Sequence, residues 1–454
     1  MLLLGGFAAT QAAHRFIPRC LPPRGHRSVT ARAGSSNGSS SSRRELLAIG
    51  LAAGVSLPPS GMAAQPMDVE VKAEPAGSGA AALAPQVGKD IPRAELAPGL
   101  EISRIVKGCW QLSGGHTGER AGASPDHTSG QAAIDDFAPF VAAGVTTFDT
   151  ADIYGPSEAL IGRYLSSHPA EKPHCQVLTK FCCFGDVMDS AKELRSVQQA
   201  RRAACLPRKC SPPALLPPSS TRLASIDASR QRLGLESLPL VQFYWHKYEN
   251  KGYIQAVQHL GTLQTKGKVQ HIGATNFDVV RLKEMAEAGA KIANNQVQYS
   301  LLDRRPENGM AEYCREAGIK LLPYGVLAGG LLTDKYLGAS VSDVKINTYS
   351  KSKYASVIGQ AGGWDWFQSL LQALSAVAKK HGVTIADVAC RWVLDKPQVA
   401  GIIVGARNSS HVADLKTVFS FQMDDGDREA IAKVLAAGKQ ATGDCYDWER
   451  GGAW

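Results

Sequence analysis

The sequence predicts an α/β fold: a closed (β/α)8 TIM barrel behind a long N-terminal extension expected to be disordered. Three observations carry this. From about residue 100 strand signals alternate with segments of helical period, and repeated βα units imply a parallel sheet covered by helices. About eight strands follow one another, which points to barrel closure rather than an open doubly wound sheet. No Gly-x-Gly-x-x-Gly turn follows the first strand, so a Rossmann sheet has little support.

Taken in order, Ile102–Leu112 is apolar with interruptions and holds the first strand, which Gly108-Cys109-Trp110-Gln111 follows. Gln131–Ala143 has helical period and ends at Gly144. Val145–Thr150 opens with β-branched and aromatic residues and reads as a strand; Gly155-Pro156 breaks the chain soon after. Ser157–Ser167 is helix and Gln176–Phe181 strand. Ser225–Leu233 is helix, stopped by Gly234; Leu240–Trp245 is strand and Tyr253–Thr265 helix. Strands Val269–Ala274, Ile292–Tyr299 and Ile319–Val326 alternate with helices Val279–Ala288 and Met310–Ala317. Helices Gln368–Lys380 and Ile385–Leu394 precede strand Val399–Val404. Helices His411–Val418 and Asp427–Leu435 come last. The barrel domain is placed at 95–440, with a tail at 441–454. Long loops at 113–130 and 335–366 are expected to shape a pocket.

The extension reads as an address. Residues 1–44 hold seven Arg and no Lys, Asp or Glu, the composition of an organelle transit peptide. Val29-Thr30-Ala31-Arg32-Ala33 looks like a plastid processing site. Arg43-Arg44, a short apolar stretch to Val55 and the small residues Gly61-Met62-Ala63-Ala64 resemble a twin-arginine signal. Residues 1–64 are therefore expected to be a chloroplast transit peptide, with a thylakoid-lumen signal as a possible second part. The apolar stretch is shorter than the roughly 20 residues of a membrane span. Residues 65–94, with repeated Ala, Pro and Gly, read as a flexible linker.

Of the formal charge of +9, the seven arginines of 1–44 leave +2 for the rest. A nearly neutral folded part gives no electrostatic reason to expect nucleic acid as a partner. The ten cysteines form no Cys-x-x-Cys and no zinc-spaced cluster, so no metal is expected. Cys182 and Cys183 would face opposite sides of a strand. The segment 195–222 is basic, Pro-rich and without a period; it reads as an irregular insertion or as a gene-model artefact.

The chemistry is expected at the strands' C-terminal ends, where barrel loops carry it. Asp149 ends one strand, Tyr154 lies in the loop behind it, and Lys180 follows Val177-Leu178-Thr179 on the next strand. A carboxylate, a phenol and an ammonium together make a proton-transfer set. The cation favours phenolate and is expected to bring the phenol's pKa of about 10 towards the operating pH.

The run Phe148-Asp149-Thr150-Ala151-Asp152-Ile153-Tyr154-Gly155, with Ser157-Glu158-Ala159-Leu160-Ile161-Gly162 and Leu178-Thr179-Lys180-Phe181, closely resembles the aldo-keto reductase family over most of 100–420. The resemblance implies a reductase of aldehydes or ketones. Tyr154 would be the acid, Asp149 and Lys180 would tune it, and hydride would come from a nicotinamide. The family's histidine, which orients the carbonyl, falls in Gln242-Phe243-Tyr244-Trp245-His246. Alignment puts Tyr244 in its place; His246 lies on the same side of the strand, so either side chain fits the role.

The resemblance also implies a cofactor site. Gly108 and Trp110 would approach the nicotinamide. Thr275, Asn276 and Gln296 would bond its carboxamide. Tyr324 would stack on the ring, and Gly325, Leu327 and Gly329 would line the pyrophosphate. Gly405, Arg407 and Asn408 would hold the adenosine 2'-phosphate, which favours NADPH over NADH, while Leu415 stands where the family has an adenine-contacting Asn. A nicotinamide-dependent enzyme needs a pool of its cofactor, so stroma is favoured over lumen. The alternative is a nicotinamide-binding regulatory or scaffold protein with little catalysis, suggested by Tyr244 and the insertion. A barrel lyase or isomerase without nicotinamide is a third reading. Substrate and oligomeric state are not legible.

Overall fold

The computed structural model describes residues 87–113, 129–183, 225–406 and 408–454. The expected transit peptide, the irregular segment 195–222 and Arg407 therefore lie outside the described residues, as does most of the stretch 65–94.

Among the described residues ten strands run in chain order as β1 (Arg93–Ala97), β2 (Leu100–Ser103), β3 (Ile105–Gly108), β4 (Thr147–Asp149), β5 (Gln176–Cys183), β6 (Leu238–Trp245), β7 (Val269–Thr275), β8 (Ile292–Gln298), β9 (Lys320–Tyr324) and β10 (Ile402–Gly405). β3 to β10 close into one parallel barrel, β10 pairing with both β3 and β9. The helices are α1 (Gly130–Asp135), α2 (Phe137–Ala142), α3 (Ser157–Ser167), α4 (Ser225–Leu233), α5 (Gly252–Thr265) and α6 (Val279–Glu287). α7 (Met310–Glu316), α8 (Tyr349–Ala361), α9 (Gly363–His381), α10 (Ile385–Leu394) and α11 (Asp425–Ala436) complete those of the described residues.

Strand alternation sorts the side chains. Phe148, Val177, Phe181, Val241 and Phe243 face the helices and form the outer core; Phe137 on α2 meets Phe148 edge-on at 5.0 Å. Inside the barrel the filling changes with depth. At the lower end lie Val106, Leu178, Leu240, Leu322 and Ile403. Above them comes a polar layer of Asp149, Lys180, Gln242, Asn294 and Gln296, all buried. Ala151, Cys182 and Tyr244 form the uppermost layer. Cys182 and Cys183 do face opposite ways, one in the barrel, one in the outer core.

Four expectations are corrected. Residues 87–94 are folded, not linker: Ile91 is buried, and the antiparallel β1–β2 hairpin covers the barrel's lower end with Leu96, Ala97, Leu100 and Ile102. Apolar side chains at alternate positions outweigh the Ala/Pro composition that suggested a linker. The helix 131–143 is two helices parted at Asp136, because Pro139 has no N–H for the Asp135 carbonyl. The stretch 335–366 is not all loop: α8 buries Tyr354, Val357, Ile358 and Ala361 at helical spacing, capped by Thr348. Val412–Phe419 winds as a 3₁₀ helix rather than an α-helix.

Candidate active site

β3, β4 and β5 are in register at Gly108, Asp149 and Leu178. Lys180 is two residues further along β5, one inward position nearer the mouth. Its ammonium reaches the Asp149 Oδ2 at 2.7 Å and the Thr150 carbonyl at 2.9 Å. It also lies 5.0 Å from the ring centre of Tyr154. The structure thus brings together the carboxylate, the ammonium and the phenol.

Asp149 is held from its other side. Its Oδ1 accepts from Gln242 Nε2 at 3.0 Å and Gln296 Nε2 at 2.7 Å. Gln242 Oε1 in turn accepts from Asn294 Nδ2 and Gln296 Nε2, both at 3.0 Å. Asn294 points inward because β8 carries one extra residue opposite Ile272–Ala274, a bulge that re-aims a side chain. Gly273 leaves it room: a Cβ there would stand 2.1 Å from Asn294 Oδ1. Gln296, expected at the carboxamide, thus turns its amide nitrogen to Asp149 and Gln242.

Burial works against the Lys180 charge, but the Asp149 carboxylate outweighs it and holds the ammonium above its ordinary range. Burial likewise raises the Tyr154 phenol; the Lys180 charge opposes this and does not overcome it. The sequence expectation of a lowered phenol is corrected here, because desolvation exceeds the neighbouring cation's effect. A raised phenol remains protonated at neutral pH, the state a proton donor requires.

Tyr244 is buried against Ala151 and Cys182, and Tyr154 and Tyr446 pack on that cluster. The Tyr244 hydroxyl and His246 Nδ1 are 2.8 Å apart. The two alternatives for the fourth position are therefore one hydrogen-bonded pair. Desolvation and the neighbouring Arg450 and Lys247 charges lower the His246 pKa, so the ring is neutral at pH 7.

The expected cofactor residues ring the same mouth. Gly405 and Gly108 are paired across β10 and β3, beside Asp149. Trp110 opens a 3₁₀ turn and is half-buried. The Thr275 hydroxyl donates to the Gln296 carbonyl at 3.2 Å. Asn276 adopts a left-handed backbone, φ 59°, and its Oδ1 accepts from the Tyr324 hydroxyl at 2.9 Å. Gly325 and Gly329 have positive φ, and Leu327 between them is half-buried. Asn408 Oδ1 accepts from the Ser410 hydroxyl at 2.7 Å. Leu415 packs against the outer core.

Sequence reasoning missed several neighbours. Gln242 carried a signal, being a polar residue inside an apolar strand; Asn294 lies in the polar run Asn294-Asn295-Gln296, where nothing set it apart from its neighbours. Residues 441–454 carried none beyond aromatic content, yet they lie over the mouth: Tyr446 meets Tyr244 edge-on at 6.2 Å. Glu449 pairs with Arg305 at 2.8 Å and Lys353 at 3.1 Å.

A polar cluster of this kind, at the C-terminal ends of a parallel barrel's strands, defines a barrel enzyme. The chain belongs to the aldo/keto reductase family, whose model matches residues 104–436; it is an oxidoreductase of a family that uses nicotinamide cofactors and small-molecule substrates. Among its relatives, an NADH-specific methylglyoxal reductase of Escherichia coli is 26% identical over 74% of this chain and 96% of its own. A chloroplastic pyridoxal reductase of Arabidopsis thaliana is 28% identical over 60% of this chain and 67% of its own. The solved glycerol dehydrogenase of Gluconobacter oxydans shares the fold, with TM-score 0.58 and 22% identity over 76% of this chain and 95% of its own.

The mouth fits a nicotinamide. Glycine at 108 and 405, next to Asp149, lets the Ile403 and Gln111 side chains lie close against the backbone there. Gln111 lies against Gly405, and its buried Oε1 has no donor among the described residues, an acceptor suited to a carboxamide N–H. Among the described residues no helix is long and apolar enough to cross a membrane.

Proposed function

We propose that the protein is an NADPH-dependent reductase of an aldehyde or ketone in the chloroplast stroma. The carrying observation is the Asp149–Lys180 pair, 2.7 Å apart, with the Lys180 ammonium 5.0 Å from the Tyr154 ring. A bound nicotinamide supplies hydride to the carbonyl carbon. Tyr154 gives its proton to the carbonyl oxygen, and the Lys180 ammonium stabilises the negative charge left on the phenol oxygen. Asp149, fixed by Gln242 and Gln296, keeps that ammonium in place. The Tyr244–His246 pair orients the carbonyl oxygen.

Gly108, Trp110, Thr275, Asn276 and Tyr324 would hold the nicotinamide end. Gly325 and Leu327 would line the pyrophosphate. Gly405, Arg407 and Asn408 would hold the adenosine phosphate. The preference for NADPH rests on Arg407, whose planar fork suits a phosphate. The plastid assignment rests on the acid-free, Arg-rich stretch 1–44 and is supported by the chloroplastic relative.

Oxidation of NADPH by the purified protein, followed across a panel of aldehydes and ketones, tests the reading. Tyr154→Phe is expected to lower turnover by about 10²-fold or more while NADPH still quenches the protein's tryptophan fluorescence. Unchanged turnover in that variant removes Tyr154 from the reaction. Tight NADPH binding without turnover on any carbonyl favours the regulatory alternative.

A further inference from the structure

The β6–β7 ladder ends at Phe243 and Ala274. Beyond it, Tyr244–His246 and Thr275–Asn276 carry the candidate site residues without strand pairing between them. Arg450, from the segment over the mouth, spans that gap. Its Nη2 donates to the Trp245 carbonyl at 2.9 Å, its Nη1 to the Asn276 carbonyl at 3.1 Å and its Nε to the His246 carbonyl at 3.2 Å. We infer that Arg450 is a positioning residue, fixing the Tyr244–His246 pair relative to the Asn276 seat.

Three independent features support it. The guanidinium is planar and places its donors in a fixed fork, so three carbonyls on two strand ends are bound in one geometry. A lysine ammonium, a single point charge, does not span them. The fork is itself held: its centre lies 4.0 Å from the Tyr248 ring and 5.0 Å from that of Tyr446. The segment leading to Arg450 is anchored at two points. Glu449 binds Arg305 and Lys353, and Asp444 Oδ2 accepts the Val279 N–H at the start of α6 at 2.8 Å. Tyr446 takes a left-handed backbone, φ 64°, a conformation costly for a bulky residue and kept only where its surroundings impose it.

The inference rests on the reductase reading of Tyr244, His246 and Asn276. In the full-length protein, Arg450→Met is expected to lower kcat/KM for a carbonyl at least tenfold, Arg450→Lys to restore little of it, and added guanidinium ion to restore part. NADPH affinity, followed by protein fluorescence, is expected to fall by a similar factor as Asn276 loosens. The His246 ring, followed by NMR, is expected to titrate at higher pH once the Arg450 charge is gone; Lys247 and Glu249, the other charges acting on it, are unchanged. If wild-type protein reduces no carbonyl, the reductase reading fails, and NADPH affinity with the His246 titration still decides the role of Arg450. If Arg450→Met does not fold, Glu449→Gln, which loosens the segment and keeps the guanidinium, is measured in its place. Turnover within twofold of wild type, or unchanged NADPH affinity with an unchanged His246 titration, overturns the inference.

Discussion

Asp149 accepts from Lys180, Gln242 and Gln296, and each of those donors is buried with it. Asp149→Ala leaves the Lys180 ammonium in the barrel without its counter-charge, which is expected to cost about 3–5 kcal/mol in denaturant unfolding. The pH dependence has a definite sign. Lys180 is held above its ordinary range in the fold, so its contribution is complete below about pH 10.4 and is lost only as pH rises beyond that. Neutral and mildly alkaline unfolding midpoints should therefore not move on its account. Lys107 is the opposite case. It is buried on β3, 3.6 Å from Asp136 and 3.7 Å from the Phe140 ring centre, with no hydrogen-bond partner among the described residues. Burial lowers its pKa. Lys107→Met is expected to leave the thermal midpoint unchanged or raise it, since an apolar side chain of similar size avoids that desolvation.

At the level of elements, the polar layer depends on how β7 and β8 are built. The extra residue in β8 turns Asn294 inward, and Gly273 on β7 makes the space. Gly273→Ala would drive a methyl into the Asn294 amide. Expected are a stability loss of about 1–3 kcal/mol and lower turnover, since Asn294 supports Gln242 and Gln242 supports Asp149. An unchanged unfolding midpoint would show that the layer repacks freely. Helix ends matter in the same way. α10 begins with a capping box in which Thr384 and Asp387 satisfy each other's backbone N–H. Thr384→Ala should cost about 0.5–2 kcal/mol in urea titration.

For the whole molecule, the two ends of the barrel are closed by different means. The lower end carries the apolar β1–β2 hairpin, and the mouth carries the charged and aromatic segment 441–454. Glu449 ties that segment down. Burial raises its pKa, but Lys353 and Arg305 outweigh this and hold the carboxyl at about 2, against an ordinary 4.5. Its contribution is thus present above pH 4.5 and is lost as pH falls towards 2. By that difference it is on the order of 3 kcal/mol. Acid unfolding of Glu449→Gln should lack this component, which unfolding midpoints between pH 5 and 2.5 would register.

The alternation of strand and helix, the number of strands and the Asp149–Tyr154–Lys180 spacing were legible in the chain, because periodicity and strand-end position are local properties. The hairpin under the barrel was not, since Leu96, Leu100 and Ile102 acquire a role only when Leu178, Leu240 and Leu322 are assembled above them. Nor was the raised Tyr154 phenol: the competition between burial and a nearby cation depends on solvent exclusion, which spacing does not encode. Nor was the reach of Arg450 to Trp245, His246 and Asn276, which joins residues up to 205 positions apart. Contacts of that range exist only once the barrel has closed and its mouth has been covered.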